Sequence, residues 1–216
     1  MAEFDLLTLS QKIAEDIATK IVEGTFKPED RLIENELTEI YGTSRSPIRE
    51  ALYSLENQGI VERIPRKGVI VKKHTKKEIF DLYDAVYIIQ VNILKQSVET
   101  LQTEQVNDLY SVLEQMEKAI EKANFEECFL LIEDLQLKIF ELPGNTVIID
   151  LYQKLNKRWT TFRYLTLSHP ESLIRSMQEY KELVKGLEEK DYKCIEVILE
   201  KKKNRGLSIL EKIVTE

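Results

Sequence analysis

From Leu9 onward the apolar positions Ile13, Ile17 and Ile21 recur every four residues, with Ala14 beside them, which is one stripe of an amphipathic helix. Gly24 ends that helix, and a turn over Thr25–Arg31 leads to a short second helix whose buried side is expected to be Leu37, Ile40 and Tyr41. Gly42 stops the second helix. Thr43 and Ser44 then offer hydroxyls to cap a third, with Pro47 tolerated in its first turn. This third helix runs to about Gln58, and its apolar residues Ile48, Ala51, Leu52 and Leu55 form a single stripe, leaving Arg45, Ser46 and Arg49 on a different, exposed side. After Gly59 the period changes. Ile60–Ile64 and Val69–Val71 predict two short strands around Pro65–Gly68, a hairpin with a basic tip.

Thr75 followed by Glu78 matches a capping box, so a new helix and a new domain are expected to begin just beyond the hairpin. Everything after it is helical in pattern; Val106, Leu109, Tyr110, Leu113, Met116 and Ile120 illustrate the spacing. Breaks at Leu101–Thr103, Lys122–Asn124, Pro143–Asn145 and His169–Pro170 divide the rest into about six helices with short connections, the pattern of an antiparallel bundle. The predicted fold is therefore mainly α. An N-terminal winged helix-turn-helix over residues 1–74 precedes an all-helical body over 75–216.

The length of 216 residues suits two such cores, and an apolar share of 43% excludes a disordered chain. The N-terminus carries acids where a secretory leader carries bases, and no apolar run could span a bilayer, so a cytoplasmic protein without membrane contact is expected. Cys128 and Cys194 lack a CxxC or CxxH partner and read as small core residues. A net charge of −7 argues at first against a nucleic-acid partner. Between Thr43 and Lys73, however, seven cations stand against three acids, so the basic charge is concentrated on the third helix and the hairpin.

That distribution gives the head its candidate chemistry. Arg45 and Arg49 are one helical turn apart at the start of the third helix, where a guanidinium can pair bidentately with guanine O6 and N7. Thr43, Ser44 and Ser46 can reach phosphates, and Arg66 and Lys67, beside Gly68, can enter the adjacent minor groove or grip its backbone. The plain alternative is a solvated charge run paired with Glu50 and Glu62. A second alternative is an interaction or sensor module whose winged helix no longer binds DNA.

The run from Arg31 to Leu52, followed by Leu55-Glu-Asn-Gln-Gly59 and Val61 to Gly68, resembles the signature of the GntR family of bacterial regulators. The resemblance implies a homodimer on a near-palindromic double-stranded operator, a repressor by expectation, with Arg45 and Arg49 in DNA-contacting positions, Arg31 among the DNA-binding group and Gly68 at the wing. Asn35 stands where many members carry a further DNA-contacting arginine. The body, with Asp134 and the turn Pro143–Asn145, is similar to the FadR-type ligand-binding domain, which implies an effector site inside the bundle, here for an unknown small molecule. Many such domains hold a divalent metal through one aspartate and three histidines. This chain has only His74 and His169, in linker and turn positions, and the histidine positions are filled by Lys138, Tyr180 and about Lys202, or by Gln136 instead of Lys138 if the count runs back from Gly144. No metal or other cofactor is therefore expected. Asp134, Lys138, Arg163, Tyr180 and Lys202 are the candidate effector-binding residues. Lys138 could pair with Asp134 in place of a metal, or simply point to water. Val86 and Gln90 replace the family's usual arginine and glutamate on the first body helix, and Arg158, Trp159 and Tyr164 are weaker candidates for a pocket. The chain carries no phosphate-cradling glycine loop and no nucleophile elbow, so no enzymatic activity is expected.

Overall fold

The computed structural model describes residues 8–98, 100–169, 171–211 and 214–215, so the acidic N-terminal stretch lies outside the described residues. Helix α1 (Leu9–Val22) starts at a reciprocal cap: Thr8 Oγ1 accepts from the Gln11 amide while Gln11 Oε1 accepts from the Thr8 amide. Its stripe Ile13, Ala14, Ile17, Ala18 and Ile21 is buried, as the four-residue period predicts. Helix α2 (Glu34–Tyr41) ends on Gly42, which takes the left-handed conformation at φ 58° that costs glycine least. Of its expected buried side only Leu37 is buried. Ile40 is 58% exposed and Tyr41 half-buried, because α2 packs chiefly on α3 and is too short to be covered on a wider face.

Helix α3 (Arg45–Asn57) buries Ile48, Ala51, Leu52 and Leu55 completely. Burying each of the larger three is worth about 1.5–3 kcal/mol. Strands β2 (Val61–Ile64) and β3 (Gly68–Val71) form the expected hairpin, with Ile64 opposite Gly68. The segment read as a turn ends in a further strand, β1 (Arg31–Leu32), which pairs antiparallel with β3 and gives the sheet order β1-β3-β2. Two residues are too short for an alternating pattern to register in the sequence.

Strand β4 (His74–Thr75) leads into the body and pairs in parallel with β5 (Val214–Thr215) near the chain's end. Among the described residues the body is six helices: α4 (Lys76–Ser97), α5 (Thr103–Glu121), α6 (Phe125–Glu141), α7 (Thr146–Ser168), α8 (Ser172–Glu188) and α9 (Tyr192–Leu210). Thr75 caps α4 through the Glu78 amide at 3.2 Å, but the box is half made, since the Glu78 carboxylate turns instead to Arg158 at 2.7 Å. Asn124, Asn145 and Asp191 cap α6, α7 and α9 in the same manner. Cys128 is buried as expected; Cys194 is exposed, because it lies in the first turn of α9 off the apolar stripe of Ile195, Ile198 and Leu199.

Helix α7 is the axis of the molecule. It packs against α4, α6, α8 and α9 of the body and also against α1 of the head. All eight residues from Thr161 to Ser168 are buried, so this last third of the helix has no solvent side. Two hydrogen bonds tie it to the head: Thr161 Oγ1 donates to the Gln58 carbonyl at 2.5 Å, and Thr19 Oγ1 donates to the Ser168 carbonyl at 2.8 Å. Among the described residues no helix is long and apolar enough to cross a membrane.

Candidate nucleic-acid interface and body cavity

The buried stripe of α3 turns Arg45, Ser46 and Arg49 outward, and all three are exposed. Ser44 occupies the cap position with extended backbone, yet no side chain caps the helix, contrary to the expected hydroxyl cap. The first amides of α3 are left without that partner, beside two serine hydroxyls and an arginine, an arrangement suited to a phosphate oxygen. Arg49 Nε donates to Glu34 Oε2 of α2 at 2.8 Å, with 61% of the arginine side chain still exposed. The anticipated acids behave differently: Glu50 accepts from Ser46 at 3.3 Å, and no ion pair of Glu62 is formed among the described residues. Arg49 is thus aimed by α2, an arrangement visible only once the two helices are packed.

At the hairpin tip the Lys67 amide donates to the Ile64 carbonyl at 3.1 Å, closing a turn with Pro65 second and Arg66 third. Arg66 sits at φ 67°, where a side chain costs about 1 kcal/mol relative to glycine. Gly68 follows at φ 87°, and a Cβ there would lie 3.4 Å from Arg31 Nε. Strand β1 therefore carries the Arg31 guanidinium across the base of the wing, beside exposed Arg66 and Lys67. Arg31, Arg45, Arg66 and Lys67 make no ion pair among the described residues, whereas Arg63 is taken by Glu56 and Lys73 by Glu29.

Inside the body, α4, α6, α7, α8 and α9 enclose a cavity of about 60 Å³. Arg163, Tyr180 and Lys202 line it, as do Val86, Gln90 and Trp159. Asp134 and Lys138 do not. Asp134 is exposed and Lys138 half-buried, and they form no ion pair with each other. Ile132 and Gln136, one turn apart, are among the buried residues of α6, and Asp134 falls about half a turn away from both. Of the two positions left open in the sequence, Gln136 is the buried one: its Oε1 accepts from Gln90 Nε2 at 3.0 Å, and its Nε2 donates to the Tyr180 hydroxyl. Of the weaker candidates, Arg158 is on the surface with Glu78, and Tyr164 is buried between Phe125 and Phe129 with its hydroxyl on Glu126 at 2.8 Å.

Arg163 is 5% exposed and pairs with Glu133 Oε1 at 2.5 Å and Asn156 Oδ1 at 2.6 Å through Nη2, while its guanidinium lies 4.4 Å from the centre of the Trp159 ring. Its Nε and Nη1 are buried from solvent and have no hydrogen-bond partner among the described residues; the Tyr152 hydroxyl lies beside them outside hydrogen-bond geometry. Arg205 takes both oxygens of Glu179, at 2.9 and 2.8 Å, and the hydroxyls of Ser172 and Ser176, both at 2.7 Å. Sequence reasoning did not single out Arg205, Glu179 or Glu133 as parts of this site. Alternation of charge along α8 and α9 reads as a solvated surface until the helices are put together.

At the head–body seam, burial, the neighbouring Glu126 carboxylate and Asp16 hold the Glu15 carboxyl up to about 7. His74 is buried against Phe162 with neither ring nitrogen hydrogen-bonded, and burial and Lys72 hold its pKa below the ordinary histidine value despite Glu78 at 3.9 Å.

Comparison with known proteins agrees with this geometry. The profile described as "Bacterial regulatory proteins, gntR family" matches residues 9–71, and that of the FCD domain matches 81–200. The chain is 24% identical over 187 residues to the HTH-type transcriptional regulator McbR of Escherichia coli strain K12, covering 86% of this chain and 85% of that one. It is 25% identical to the gluconate operon transcriptional repressor of Bacillus licheniformis, covering 83% and 76%. The solved structure of E. coli McbR/YncC superposes with a TM-score of 0.59 at 22% identity, over 95% of this chain and 98% of that one, which establishes likeness of fold.

Proposed function

Because the chain belongs to the GntR family of bacterial transcriptional regulators, with an FCD domain as its body, we propose that residues 1–74 read an operator and residues 75–216 pair two copies and bind the effector that controls them. In this reading Arg45 and Arg49 contact guanines in the major groove, the open amides of α3 with Thr43, Ser44 and Ser46 hold the flanking phosphates, and Arg31, Arg66 and Lys67 grip the backbone beside Gly68. The observation that carries it is the exposed, ion-pair-free Arg45 at the uncapped start of α3, one turn before an Arg49 held in place by Glu34.

Half-site recognition by α3 calls for a homodimer on a near-palindromic site, in the cytoplasm where the DNA is. Helix α7 supplies the coupling: Arg163 and Trp159 face the cavity, while Thr161 and Ser168 hold the head. A ligand that moves α7 changes how the heads are presented and so the population of the DNA-competent arrangement. Repression is the sense we propose.

Gel-shift titration against the chain's own promoter region tests this. Each lost bidentate contact costs about 1–3 kcal/mol, so Arg45→Ala combined with Arg49→Ala should remove the specific complex. Undiminished binding by that double variant would contradict the reading.

A further inference from the structure

The metal that the family resemblance implies finds no ligand set in the body cavity, whose lining holds no imidazole and no carboxylate among the described residues. Within the head, one large side chain is left without a structural role. Tyr53 on α3 is 63% exposed. Among the described residues its hydroxyl has no hydrogen-bond partner and its ring no aromatic or cationic neighbour. The acids three residues before and after it, its neighbours on the helix surface, have partners of their own: Glu50 accepts from Ser46 at 3.3 Å and Glu56 pairs with Arg63 at 3.4 Å. An aromatic residue is also a poorer helix former than alanine, so neither bonding, burial nor local propensity accounts for a ring at this position.

The buried stripe of α3 fixes where that ring stands. Ile48, Ala51, Leu52 and Leu55 define the direction of the core, and the opposite direction is the helix's outward meridian. At about 100° of rotation per residue, Ser46 stands about 10° from that meridian, Tyr53 and Glu50 about 30° on either side of it, Arg49 about 70° and Arg45 about 110°. Tyr53 therefore faces away from the core more squarely than either arginine. It also lies four residues beyond Arg49, about 6 Å along the helix axis, which is close to two base-pair steps of about 3.4 Å.

A helix that enters the major groove with this side forward turns its meridian to the groove floor and its flanks toward the walls. The arginines then reach base edges from one flank and from the leading turn, while the tyrosine meets the floor. Most of that floor is a set of donors and acceptors that call for polar partners; its apolar group is the C5-methyl of thymine. An aromatic ring held in solvent with no partner of its own is matched by that methyl, and the contact removes apolar surface of both from water.

We propose that Tyr53 packs its ring on a thymine methyl, about two base pairs from the guanine that Arg49 reads, and so adds an A·T pair to the operator's specificity. The proposal rests on the reading of the head as the operator-binding domain and names a further base that this head selects. Because the contact is made by ring carbons, it displaces no counterions. It changes the preference among bases and leaves the salt dependence of binding to the cations.

The test is gel-shift titration of the full chain, at one fixed salt concentration, with the footprinted stretch of its own promoter region in which each thymine in turn is replaced by uracil. That replacement removes the methyl and keeps every hydrogen-bonding group. A buried methyl is worth about four-fold in affinity, so uracil at the contacted thymine should weaken the parent by about that factor. Tyr53→Ala should weaken the thymine duplex at least as much and should bind the thymine and uracil forms equally. Tyr53→Phe keeps the ring and should match the parent on both. A salt titration of the three chains should give one common slope. The proposal is overturned if no single thymine matters to the parent, if Tyr53→Ala still tells thymine from uracil at that position, if Tyr53→Phe loses as much as Tyr53→Ala, or if removing the ring lowers the salt slope. Tyr53→Ala should also keep the parent's Tm; a fall of more than about 3 °C would show that the ring supports the fold instead, and overturns the proposal as well. A parent that forms a specific complex indifferent to Tyr53→Ala overturns this inference and leaves the regulator reading intact, whereas a parent that forms no specific complex with the duplex overturns both.

Discussion

Helices α3 and α7 both carry arginines, and the two helices solve opposite problems. In α3 the apolar residues occupy one stripe, water covers the rest, and Arg45 sits in solvent without a partner. From Thr161 to Ser168 every residue of α7 is buried, and the polar ones find partners inside: Thr161 on the Gln58 carbonyl, Arg163 on Glu133 and Asn156, Ser168 on the Tyr164 carbonyl. Arg45 on α3 is available to something outside the molecule, while Arg163 on α7 is part of the molecule's construction. The lesson is that exposure decides whether a charge is a contact or a support.

Exchanging the roles gives the largest expected effect. Arg163→Met should destabilise the protein by about 3 kcal/mol in urea unfolding, because it leaves the Glu133 carboxylate buried without its cation. Arg45→Ala should change stability by no more than about 0.5 kcal/mol while weakening the operator complex. Equal stability of the two variants would erase the distinction drawn between the helices.

A smaller effect is expected where the two regions meet. Glu15, on the head, has its pKa raised from its ordinary 4.5 to about 7. Raised in the folded state, it contributes stability that is complete below 4.5 and is lost as pH rises through 7. Glu15→Gln should therefore stabilise the protein at pH 8 by about 1 kcal/mol, once solvent screening at this half-buried position is allowed for, and should change little at pH 5. A gain of the same size at both values would show that the Glu126 neighbourhood does not strain the seam.

The smallest change lies at the wing. Arg66→Gly relieves the left-handed backbone and should stabilise the head by about 1 kcal/mol or less, yet it removes one cation and should lower the salt dependence of DNA binding by about one ion. Unchanged salt dependence would take Arg66 out of the interface.

How much could be read beforehand follows the same division. The stripe Ile48, Ala51, Leu52 and Leu55 announced which side of α3 is buried, and so placed Arg45 and Arg49 outside. Gln136 could not be chosen over Lys138 in this way, because α6 carries apolar residues around much of its circumference and its inward side has no distinctive mark. Arg205, Glu179 and Glu133 escaped notice for a related reason: a charged residue on a helix looks the same in the sequence whether its partner is water or a carboxylate on another helix.

The sequence by itself determined the winged head, the helical body and the outward-facing arginines, since each rests on periodicity and turn chemistry acting over a few neighbouring residues. Tertiary structure alone decided that Arg31 joins the wing through β1, that Glu34 holds Arg49, and that four cations and three carboxylates meet around one cavity. Those arrangements depend on which helices come together and at what rotation, and local spacing carries no information about a partner tens of residues away.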